Sequence, residues 1–198
     1  MLKRSTMIYT ELSPNPNSMK FVLNYELVPE GLSFDYPDMP STMEEDKASP
    51  LAADLFQFPF VQRVFIASNF ITISKDDETQ WETVIGDLRR FLKIFFDDEN
   101  PVFAKETMDK NTLIIDANDS EAVGKIKAAL DQYVRPAVES DGGAINFADY
   151  DEETGKVTVM LQGSCSGCPS ATVTLKDGIE RLLTTMVPGV KEVVAQAM

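Results

Sequence analysis

Histidine is absent from this chain, and cysteine occurs only at Cys165 and Cys168. Without an imidazole base, a cysteine nucleophile of the hydrolase type is excluded. Positive charge is scarce too. The chain carries 18 Lys and Arg against 32 Asp and Glu, a formal net charge of -14, and its only paired basic residues are Lys3-Arg4 and Arg89-Arg90. Such a surface repels phosphate backbones, so nucleic acid is not an expected partner. No stretch approaches the roughly 18 apolar residues that a membrane span needs. The opening MLKRST is not followed by an apolar segment of the kind that marks a signal peptide, and the expected location is therefore cytoplasmic.

What is present fits a globular protein: 43% hydrophobic and 25% charged residues over 198 positions, enough for one ordinary domain or two small ones. From Met7, MIYTEL and MKFVLNYEL alternate as strands around the turn SPNPN. Ser49 is placed as an N-cap with Pro50 at the first helical position, and Leu51, Ala52, Leu55 and Phe56 follow at helical spacing before Pro59. VQRVFIA and FITISK form an expected hairpin across Ser68-Asn69. Trp81, Val84, Ile85, Leu88, Phe91, Leu92 and Phe95 then line one face of a helix that DDENP stops. The predicted order is strand, strand, helix, strand, strand, helix.

Residues 98–119 lose this periodicity and become acidic and Asn-rich, which predicts a linker between a domain at 1–97 and another at 120–198. The second domain should open with a helix from about Ser120, with Val123, Ile126, Leu130, Tyr133, Val134 and Ala137 on one face and Asp141-Gly142-Gly143 as its break. AINFADY and KVTVMLQ read as antiparallel strands around the turn DEETG. A last helix is marked by Leu175, Ile179, Leu182 and Met186, and Pro188-Gly189 separates it from a short strand, VKEVV. The fold class is α+β, two small domains that each combine a small sheet with two helices.

The two cysteines fall in GSCSGCPS, between the second strand of that domain and its second helix. Pro169 and Ser170 make the segment a loop that feeds a helix N-terminus, where unpaired backbone N–H groups and the helix dipole favour thiolate over thiol. Gly163 and Gly167 allow the backbone to turn tightly there. A thioredoxin-like dithiol also sits at a helix start, but normally after the first strand of a βαβ unit, whereas this motif follows a hairpin near the C-terminus. A pair of small buried residues at a turn is the blander alternative. Metal remains. Zinc and iron-sulfur sites usually take four protein ligands, one chain supplies two thiolates, and a two-fold pair of chains supplies four. The spacing alone does not choose between zinc and an iron-sulfur cluster.

Two sets of motifs resemble one family. ESDGGAINF, VTVMLQGSCSGCPSATVTLKDGIERLL and VPGVKEVV look like the NifU C-terminal-type domain of Nfu iron-sulfur proteins. SPNPNSMKF, ASPLAADLFQFPFVQRVFIASNFITISKDD and WETV look like the Nfu N-terminal domain. The resemblance implies a carrier or scaffold, not an enzyme, that holds a cluster, usually [4Fe-4S], between two C-terminal domains and passes it to apo-proteins. Cys165 and Cys168 match the ligand positions, so a cluster-loaded homodimer, apo-client proteins and upstream assembly proteins are the implied partners. No catalytic residue is expected. Two other segments stay open: Asp141-Gly142-Gly143 is either a helix stop and strand entry or a lining of the cluster side, and SPNPN is either a plain turn or a client contact. Glu44, Glu45 and Asp46 read as a solvated loop.

Overall fold

The computed structural model describes residues 5–29, 31–44, 48–104, 120–164 and 169–197, and of 169–172 and 197 the backbone alone. It divides into two compact units, Met1–Ile114 and Ile115–Met198, and both combine helices with sheet, as an α+β chain should.

The first unit is a five-stranded antiparallel sheet: β1 (Ile8–Leu12), β2 (Ser18–Leu23), β3 (Ser33–Tyr36), β4 (Val61–Ala67) and β5 (Phe70–Lys75), in the spatial order β1-β2-β5-β4-β3. Helices α1 (Pro50–Leu55) and α2 (Trp81–Asp97) complete it. Ser49 caps α1 as its sequence position suggests, its Oγ accepting from Ala52 N at 3.1 Å while donating to Val102 O at 2.6 Å. From α2, Leu88, Leu92 and Phe95 enter a core built with Phe21, Val64, Ile66, Ile71 and Ile73 of the sheet. Burying one such side chain contributes about 1.5–3 kcal/mol.

Two features differ from the sequence reading. Strand β3 is an addition, giving five strands where four were expected. It has four residues and its centre is Asp35, a residue that strand patterning penalises. Arg63 on the neighbouring β4 donates from Nε to Asp35 Oδ1 at 2.8 Å, and this pairing lets a side chain with 1% exposure sit on the sheet. The second difference lies after α2. Residues 98–104, assigned to a linker by composition, are packed on this unit: Phe103 is buried with its ring centroid 4.4 Å from that of Phe34, and Ala104 N donates to Ala48 O at 2.9 Å. The rest of the expected linker lies outside the described residues.

The second unit begins with α3 (Glu121–Ala129), capped by Ser120, which runs through a π turn (Leu130–Val134) into α4 (Arg135–Ser140). Then come β6 (Gly143–Asp151), β7 (Lys156–Gly163), α5 (Pro169–Met186) and β8 (Glu192–Ala197). β6 and β7 pair antiparallel from Gly143↔Gly163 to Asp151↔Lys156, and β8 lies parallel to β7, so that α5 is the crossover between them.

The π turn corrects the expected helix face. Ordinary 3.6-residue periodicity puts Tyr133 and Ala137 inward with Ile126, Leu130 and Val134, yet the buried positions are Ile126, Ala129, Leu130, Val134 and Val138, and Tyr133 is 51% exposed. Pro136 cannot donate a backbone hydrogen bond, and just before it Arg135 N–H reaches five residues back to Leu130 O. The extra residue in the turn rotates everything after it. On α5 Ile179 and Leu183 are buried and Leu175 and Leu182 pack partly buried against the same core, so the stripe read in sequence holds except at Met186, which is exposed while Val187 just after the helix is buried.

Candidate functional site

The segment that carries both cysteines leaves β7 at Gly163 and enters α5 at Pro169. Cys165, Ser166, Gly167 and Cys168 themselves lie outside the described residues, so the site is defined by the residues that hold its two ends. At the entry, Gly163 has φ 67° and Gly142, across the β6–β7 ladder, has φ 84°. Both are in the left-handed region that glycine adopts without a Cβ penalty, and both mark where the hairpin backbone turns away from its pairing.

Ser164, directly before Cys165, closes this corner. Its Oγ donates to Asp141 O at 2.6 Å, its N donates to Gly142 O at 3.4 Å, and the residue is 3% exposed. The acceptors belong to the C-terminal end of α4, where Asp141 N donates to Ala137 O and Gly142 N to Glu139 O. Asp141-Gly142-Gly143 is therefore the helix stop and strand entry of the first alternative above, with one consequence that alternative lacked: it anchors the root of the cysteine loop. Sequence reading singled out the glycines and both cysteines but not Ser164. A lone serine beside a CxxC gives no local signal of what it will bond to.

The other motifs fall elsewhere. SPNPN is a turn in the first unit, with Ser18 N donating to Asn15 O at 2.9 Å and Asn17 N to Asn15 Oδ1 at 3.0 Å. Trp81 Nε1 donates to Pro16 O at 2.9 Å and Lys75 Nζ to Asn17 Oδ1 at 3.0 Å, which ties this turn to the start of α2 and the end of β5. Of the acidic loop only Glu44 is described. Among the described residues, no group of three or more His, Cys, Asp or Glu could hold a metal ion, and no helix is long and apolar enough to cross a membrane. The candidate ligand set is the thiol pair Cys165 and Cys168, chosen for its chemistry. Its two soft donors per chain suit a thiolate-bound metal or cluster completed by a second pair.

Residues 8–99 match the family model "Scaffold protein Nfu/NifU N terminal", and residues 126–194 match that of the NifU-like domain. NifU-like protein 5, mitochondrial, of Arabidopsis thaliana is 39% identical over 193 residues, covering 96% of this chain and 68% of that protein. The chain belongs to the Nfu/NifU family. A second member, the NFU1 iron-sulfur cluster scaffold homolog, mitochondrial, of Drosophila persimilis, is 39% identical over 191 residues, 96% of this chain and 65% of the relative. The chain thus spans about two thirds of the length of these Nfu/NifU relatives. A solution NMR structure of a NifU-like protein from Saccharomyces cerevisiae is 26% identical, covering 53% of this chain and 90% of that one with a TM-score of 0.45.

Proposed function

We propose that this chain is an iron-sulfur cluster scaffold and carrier, not an enzyme, in which Cys165 and Cys168 of two copies together hold one cluster, of the [4Fe-4S] type, and release it to apo-proteins. The observation that carries the reading is family membership across both units, with relatives named as iron-sulfur cluster scaffold homologs, in a chain whose only thiols form a single CxxC. Two thiolates leave half of a four-ligand site open, so loading requires a second chain. A site assembled by association can also come apart, which suits delivery. The partners are upstream assembly proteins and apo-clients. The chemistry needs a reducing compartment; the cytoplasmic expectation gains no support from the relatives, whose names place them in mitochondria.

Anaerobic reconstitution with iron and sulfide tests this, read by absorption and Mössbauer spectra with light scattering for mass. Loaded protein should be dimeric with four irons per pair of chains, and apo-protein mostly monomeric. Cys165→Ala and Cys168→Ala should each abolish stable loading as completely as the double change, because either leaves two sulfurs where four are needed. Loaded protein should activate an apo-client in the presence of an iron chelator. Zinc bound in place of a cluster, or reversible dithiol oxidation without iron uptake, would point instead to a zinc-bridged interaction protein or a dithiol oxidoreductase.

A further inference from the structure

A cleft of about 720 Å³ in the first unit lies between strand β1 with the residues just before it and helix α2, on a different unit from the cysteines. One wall is the consecutive run Thr6 to Tyr9; the other follows α2 from Gly86 to Asp97. Eleven helical steps at 1.5 Å make the second wall about 16 Å long. That is the span of about five residues of extended chain at 3.3 Å each, so the cleft is a trough suited to a peptide segment.

Its lining has a definite chemistry. Met7, Tyr9 and Ile94 are exposed by 50%, 57% and 55%, and the charged residues lining the cleft are Arg89, Arg90, Lys93 and Asp97, with Asp87 beside Arg90. In a chain of net charge -14 this is a small local excess of positive charge, three cations to two carboxylates. Arg90 is paired with Asp87 and Lys93 with Asp97. Arg89, by contrast, makes no ion pair among the described residues: it donates once, from Nη2 to Ile8 O at 3.4 Å, which leaves most of its five-donor fork for a carboxylate. Gly86 of α2 lines the same cleft. A glycine inside a helix costs about 1 kcal/mol relative to alanine, and at this position a Cβ would meet nothing of the chain within 4 Å. The space its missing side chain leaves belongs to the cleft.

We propose that this trough is a docking site for an extended acidic segment of a partner protein, with an apolar side chain seated among Met7, Tyr9 and Ile94 and a carboxylate on Arg89. The assignment goes beyond cluster carriage and does not depend on it, so it is tested on apo-protein.

The probe is a blocked nonapeptide of Asp, Glu, Leu and Phe, with a control in which Lys replaces each acid, titrated into the full chain labelled with ¹⁵N. Saturable shifts of amides in residues 6–9 and 86–94 are expected with the acidic peptide and not with the basic one. Arg89→Gln should weaken the acidic peptide about tenfold, as loss of a charged hydrogen bond does. Gly86→Leu should remove the shifts while leaving the melting temperature unchanged or higher, which separates a blocked cleft from a damaged fold. Absence of saturable shifts, equal response to both peptides, or a Gly86→Leu variant that binds as well as the parent would overturn the proposal. So would dimerisation of the apo-protein that Gly86→Leu abolishes, because a second copy would then be the occupant.

Discussion

Single residues decide how the cysteine loop is held. Ser164 uses both its hydroxyl and its amide on the end of α4, and Asp141 O and Gly142 O are its acceptors. Ser164→Ala removes the 2.6 Å bond and leaves a buried carbonyl with less satisfaction, for an expected loss of about 1 kcal/mol in denaturant unfolding. If the loop carries the cluster, the same variant should lose iron to a chelator faster than the parent does at equal loading. Ser164→Thr keeps the hydroxyl and should restore retention if the added methyl is accommodated. A chelation rate unchanged in Ser164→Ala would show that this anchor does not position the thiols.

At the scale of elements, turns matter as much as helices. The DEETG turn that joins β6 to β7 ends at Gly155, with φ 76° and its O accepting from Lys191 N at 2.8 Å. A Cβ at Gly155 would lie 2.3 Å from Gly189 O, a distance no packing tolerates. Gly155→Ala combines that clash with left-handed strain and should cost about 2–3 kcal/mol, read as a lowered denaturation midpoint of the second unit. The turn before α2 gives a pH test. Asp76 is held below the ordinary carboxylate range, first by the Thr79 side chain and then by the Thr79 and Glu78 amides, with Lys75 nearby and desolvation opposing. A folded-state pKa below the unfolded one means that this stabilisation is present above about pH 4, the unfolded value, and disappears as pH falls through the folded one. The stability gap between wild type and Asp76→Ala should therefore be largest near neutral pH and close in acid. Asp76 is partly exposed, so salt should narrow the gap as well. A gap independent of pH between 7 and 2 would assign the effect to the turn's shape alone.

For the whole molecule, the two units provide separable behaviour. A fragment of residues 1–104 should fold and take up no iron, since it contains neither cysteine nor histidine, whereas a fragment of residues 118–198 should load a cluster by itself. Cutting the first fragment at 96 instead discards Phe103, which is 7% exposed against Phe34, and Val102, whose carbonyl accepts from Ser49. The shorter fragment should be less stable by about 3 kcal/mol, the usual cost of losing a buried phenylalanine. Stoichiometric iron on the 1–104 fragment would sink the assignment of the site to Cys165 and Cys168.

The amino-acid sequence by itself determined the chemistry on offer: two thiols, no imidazole and an acidic surface. It also determined most elements, because helix and strand periodicity, the Ser49 and Ser120 caps and the glycine breaks act over a few neighbouring residues. Only the tertiary structure decided the rest. Strand β3 exists because Arg63, 28 positions away, takes up Asp35. Val138 replaces Ala137 in the core because the π turn before Pro136 rotates the face presented to the sheet. Residues 98–104 belong to the first unit because Phe34 and Ala48 receive them. Ser164 anchors the cysteine loop because pairing of β6 with β7 brings it beside Asp141, 23 residues earlier. Each of these depends on groups far apart along the chain, whose meeting is set by the free energy of the packed whole and leaves no trace in local pattern.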